Sequence, residues 1–156
     1  EFPEAPKLFE KLAKTDPVVQ DALKHSGDSY RDPRIQAVFA IAPVFAEGFG
    51  AKDVADIKIP VKIAVGAGDT VAPPATNAKR FQQLIGGAQL AVIPGEVGHY
   101  DFVPVCSEQG KKNADPNFQR LCHDAPGVDR QKVQNDVAAM ALDFFDKNVA
   151  GRPGGG

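Results

Sequence analysis

Nucleophiles are scarce in this chain. Serine stands only at positions 26, 29 and 107 and cysteine only at 106 and 122. None lies in a Gly-x-Ser-x-Gly turn between a strand and a helix, the geometry that exposes a reactive hydroxyl. Lys24-His25-Ser26-Gly27-Asp28 echoes such a turn but lacks its first glycine and any preceding strand. Nor is there an excess of charge of one sign, with 18 basic against 20 acidic residues. A net charge of −2 leaves no basic footprint for nucleic acid. No apolar run approaches the roughly 18 residues of a spanning helix, so no membrane span is expected. Glu1 to Lys14 is charged and amphipathic, unlike a signal peptide. The histidines, at 25, 99 and 123, show no recurring ligand spacing, so no metal site is expected.

What is present reads as one α/β domain over 1–150. Glu1-Phe2 is what a common cloning site encodes, so the N-terminus is expected to be trimmed or joined artificially. Residues 151–156 have linker composition and are expected to form a flexible tail. Residues 4–27 read as two short helices. Phe9, Leu12 and Ala13 form one stripe, and Asp16-Pro17 opens a second segment with Val18, Val19, Ala22 and Leu23 inward. Residues 35–43, 61–66 and 89–93 are nearly continuous apolar runs, as expected of parallel strands covered on both faces. Pro73-Pro74 predicts a helix start and Gly86-Gly87 its end. A polar excursion fills 100–127. Val133, Val137, Met140, Ala141, Phe144 and Phe145 then mark the inner face of a long C-terminal helix over 128–149.

Two polar residues end up at the carboxyl ends of predicted strands, where functional groups gather in parallel sheets. Asp69 closes Val65-Gly66-Ala67-Gly68-Asp69, and His99 closes Gly95-Glu96-Val97-Gly98-His99. Taken alone, Gly-Asp after a strand also suits a turn and helix cap, and a lone histidine in a glycine-rich loop also suits a surface position. Together they match the display of the acid and base of a Ser/Cys-His-Asp triad.

The stretch from Asp32 to Phe145 resembles the C-terminal half of an α/β-hydrolase, and within that fold the dienelactone hydrolase-like family. The resemblance is carried by Asp32-Pro33-Arg34-Ile35-Gln36-Ala37-Val38, Gly68-Asp69-Thr70-Val71-Ala72-Pro73-Pro74, Gly98-His99-Tyr100-Asp101-Phe102 and the cysteine-containing excursion. It implies a partial α/β-hydrolase fold and a carboxylic-ester hydrolase acting on a small ester or lactone. Asp69 would be the acid and His99 the base, without a cofactor. It also implies that the nucleophile elbow lies upstream of strand 35–43, so 1–150 would be the C-terminal portion of a domain whose nucleophile-bearing half is absent. Such a piece is expected to be inactive alone.

Other residues need a reading of their own. Ser26, Ser107 and Cys106 are poor nucleophile candidates, the last two because they follow the histidine in the chain. Asp101 is a rival partner for His99, or a metal ligand with His99 and His123. Tyr100 and Phe102 are candidates for lining a substrate pocket or for core beneath the loop. Cys106 and Cys122 bracket one polar loop and predict a disulfide, which would favour a secreted or periplasmic setting; two free buried thiols are the other reading. Strand 35–43 is expected to be an unpaired sheet edge and a template for association. It would pair with the N-terminal half of the same protein or with another copy of this chain. The alternative function is accordingly a non-catalytic interaction module that self-associates through this edge.

Overall fold

The computed structural model describes residues 5–149; Glu1-Phe2 and the tail 151–156 lie outside the described residues. The chain divides into two compact units, residues up to Pro33 and residues from Arg34 onward. The first unit is a pair of helices, α1 (Ala5–Thr15) and α2 (Pro17–Lys24). Asp16 stops one and starts the other: its Oδ1 accepts the Val18 and Val19 N–H groups, with Pro17 in the first turn, where a missing N–H costs nothing. Leu12, Ala13 and Val19 are half-buried, whereas Phe9, Val18 and Leu23 are exposed.

The second unit is α/β. Its strands β1 (Val38–Ile41), β2 (Val61–Gly66) and β3 (Gln89–Ile93) form a parallel sheet in the order β1-β2-β3. Side chains alternate between the two faces, and each face has its own core. Val61, Ile63 and Val65 of β2 pack with Val38, Ala40 and Leu90 against Ala78, Phe81 and Leu84 of α4 (Ala78–Leu84). On the opposite face Phe39 and Ile93 meet Val133, Val137 and Met140 of the long helix α7 (Arg130–Asn148), named after the shorter α3 (Ala51–Val54), α5 (Glu108–Lys111) and α6 (Pro116–Cys122). Phe39 also meets the rings of Phe144 and Phe145 at 6.0 and 6.4 Å. Asp129 caps α7 by accepting the Lys132 N–H. Among the described residues no helix is long and apolar enough to cross a membrane.

Two boundaries differ from the sequence reading. The first strand covers only 38–41, not 35–43. Its ladder partner β2 begins at Val61, in register with Val38, and the preceding Pro60 has no N–H to extend the pairing. At the other end Ala42 takes a positive φ of 45° and turns the chain out of the sheet. The run is not covered on both faces either, since Ile35 and Ile41 are 50% and 45% exposed. On its outer side β1 pairs with no strand among the described residues. The second difference is α4, which starts at Ala78 rather than at Pro73. Residues 73–77 form a separate turn, because Asn77 leaves helical geometry and its side chain accepts the Ala46 N–H.

The excursion is folded. A short 3₁₀ turn (His99–Phe102) leads into α5 and α6, and a Cys106–Cys122 disulfide closes the loop with the Cα atoms 5.4 Å apart.

Candidate active site

Main-chain contact, made possible by two glycines, brings the two strand ends together. The Ala67 N–H donates to Ile93 O at 2.8 Å and the Gly68 N–H to Val97 O at 3.0 Å, so the turn after β2 is stitched to the loop after β3. A Cβ on Gly66 would lie 2.0 Å from Val97 O, and one on Gly68 would lie 2.7 Å from the Glu96 carbonyl carbon. Both obstacles are backbone, so neither can rotate away. Gly66→Ala is therefore expected to lower stability by about 1–3 kcal/mol, the usual cost of overpacking. It should also part the two loops. A denaturant titration and the crystal structure of the variant check both effects.

This seam sets Asp69 against His99. Asp69 Oδ2 lies 2.8 Å from His99 Nδ1. The Asp69 side chain has no solvent exposure, whereas the imidazole is 22% exposed. The other carboxylate oxygen, Oδ1, accepts the N–H groups of Val71 at 2.9 Å and Ala72 at 2.7 Å. Every face of the buried carboxylate that needs a partner has one, as a buried charge requires. With a carboxylate at Nδ1, the imidazole carries its proton there and presents a lone pair at Nε2. Nε2 has no hydrogen-bond partner among the described residues.

The neighbours of His99 fall into distinct roles. The Tyr100 ring meets the imidazole edge-on at 5.4 Å. Phe102 packs on Val97, Val133 and Val137, and lines a shallow apolar groove with Ile41, Pro104 and Ala141. Asp101 is not a rival partner for the imidazole. Its Oδ2 accepts the Gly98 N–H at 2.7 Å, and its Oδ1 lies 3.7 Å from Arg130 Nη2. Burial holds the Asp101 carboxyl above the usual range; the neighbouring Asp124 adds to the rise, and the Gly98 N–H and Arg130 oppose it. The pairing of Asp101 with Arg130 is not visible in the sequence, because 29 positions separate them. A signal for half of it was there, since Gly-x-x-Asp spacing suits a carboxylate reaching back to a main-chain N–H, and the same closure recurs between Gly50 and Asp53 at 2.7 Å.

The discounted nucleophiles are occupied otherwise. Cys106 is in the disulfide, and no described cysteine is free. The Ser107 hydroxyl accepts the Gly110 N–H at the start of α5, and the Ser26 hydroxyl donates to Leu23 O in the first unit. His25 pairs with Asp28 at 2.8 Å, and His123 is exposed. Among the described residues no group of three or more His, Cys, Asp or Glu side chains is placed to hold a metal ion. No family model, curated protein or solved structure matches this chain.

Proposed function

We propose that this chain carries the acid and base of a hydrolytic triad, acting by acyl transfer on a small ester or lactone. The observation that supports it is the 2.8 Å contact between a fully buried carboxylate and a partly exposed imidazole, on adjacent strand ends of one parallel sheet. In the reaction Asp69 holds the tautomer of His99 and stabilises the imidazolium as it forms. Nε2 takes the proton from a nucleophile and returns it to the leaving group. The nucleophile comes from a Gly-x-Ser-x-Gly segment outside these 156 residues, in the same protein or in a companion chain, which pairs with the free side of β1. The Cys106–Cys122 disulfide suits an oxidising compartment such as the periplasm or the cell exterior.

The test is hydrolysis of p-nitrophenyl acetate and of a simple aromatic lactone by the complete gene product and by the 156-residue chain. The complete protein is expected to turn over, its His99→Ala variant to lose at least about 10³-fold in rate, and the isolated chain to stay at background. Turnover in the complete protein that survives His99→Ala would refute the reading. The outer edge of β1, which pairs with no strand among the described residues, and the exposed Ile41 also suit an interaction module. That reading prevails if the complete protein hydrolyses nothing and the isolated chain dimerises until Ile41→Lys disperses it.

A further inference from the structure

The His99 ring has a single polar anchor, Asp69, and its backbone belongs to a one-turn 3₁₀ segment at the start of a long excursion. Something must hold that backbone for the 2.8 Å contact to persist. The Asp101 carboxylate closes the turn from the inside. Its Oδ2 accepts the Gly98 N–H at 2.7 Å, while the Asp101 N–H donates back to Gly98 O at 3.4 Å. His99 is thus enclosed in a ring of main chain that one side chain completes.

Asp101 is itself 5% exposed and lies next to Arg130, which is 4% exposed and sits in the first turn of α7. The guanidinium gathers three segments. It faces Asp101 Oδ1 at 3.7 Å, donates from Nη1 to Pro104 O at 3.4 Å, and pairs with Asp124 through Nε at 2.7 Å and Nη2 at 2.5 Å. Asp124 stands two residues beyond Cys122, so the disulfide tethers that end of the network. A buried cluster of charges is a poor way to add stability. Desolvation offsets most of the attraction, and apolar residues of equal volume would hold the fold as well or better. What such a cluster supplies is a fixed place for charge: Nε and Nη1 are oriented by the hydrogen bonds they donate to Asp124 and Pro104 O, while Nη2, with no hydrogen-bond partner among the described residues, faces Asp101 as a charge.

We propose that Asp101, held by Arg130, is a positioning residue for His99: it fixes the Gly98–Asp101 turn so that Nδ1 stays on Asp69 Oδ2. The proposal rests on the reading of His99 as the base, but its test needs no substrate. In isotopically labelled 156-residue chain, the Nδ1–H of His99 should give a low-field proton resonance that Asp69→Asn abolishes. Asp101→Ala is expected to broaden that resonance and to speed its exchange with water about tenfold, the effect of losing a charged hydrogen bond to the turn. Asp101→Asn should keep more of it than Asp101→Ala does, because the amide oxygen still accepts the Gly98 N–H although its NH₂ group then faces the guanidinium. Amide spectra of β2 and β3 separate this effect from general unfolding. If Asp101→Ala does not fold, Arg130→Lys takes its place. A lysine keeps the charge but cannot reach all three segments, so the resonance should weaken. A resonance and exchange rate unchanged in whichever of the two folds overturns the proposal, as does a loss in Asp101→Asn as large as that in Asp101→Ala. An active His99→Ala complete enzyme would sink acyl transfer and leave this resonance untouched.

Discussion

Asp69→Asn is expected to cut ester hydrolysis by the complete protein about 10⁴-fold while leaving the fold intact. The size follows from how the carboxylate is held. Its Oδ1 is pinned by the Val71 and Ala72 N–H groups, both donors. An asparagine must therefore place its oxygen there, which turns its NH₂ group toward His99. The imidazole then has to accept at Nδ1 and carries its proton on Nε2, where a base needs a lone pair. The wrong tautomer is thus enforced by two main-chain groups that touch Asp69 and not the histidine, which lies 30 residues beyond Asp69 in the chain. Rate measurements alongside circular dichroism check this. A loss of less than about tenfold would mean that Asp69 does not set the tautomer.

The second large effect concerns stability. Replacing both cysteines by serine is expected to cost about 3 kcal/mol, the loop-closure entropy for a span of this length. The link joins positions 16 residues apart and closes over α5 and α6, neither longer than seven residues, which have little packing of their own. In a chain of this size the loss should lower the melting temperature by about 6–12 °C. A dithiol should do the same to the unmodified chain, taking up the disulfide's oxidising equivalents as its own cyclic disulfide. A thermal melt decides it. A shift under about 2 °C would show that the open loop already holds its shape.

The sequence made some of this legible and hid the rest for physical reasons. Asp69 and His99 could be picked out because each ends an apolar run through glycines, and glycine marks where a chain must bend or approach another closely. Asp16-Pro17, Gly86-Gly87 and the stripe on α7 were readable because caps and periodicity are local. The extent of β1 was not, because it depends on where its partner begins: Pro60 ends the ladder from 22 positions beyond Val38. The start of α4 was hidden in the same way, since Asn77 is drawn off helical geometry by Ala46. Neither Arg130 nor Asp124 stood out, because a charged residue near a helix start reads as surface until the fold buries it. Their grouping with Asp101 joins three segments that no spacing rule connects.

The stitching of the turn after β2 to the loop after β3 has one more consequence. Asp69, His99 and the main-chain seam between their two turns all lie within the continuous stretch from Val61 to His99. They behave as a cassette. Changes upstream of β1 can alter what the imidazole is offered while leaving the residues of this seam in place. In such an architecture new chemistry is reached by changing the visitor and keeping the host.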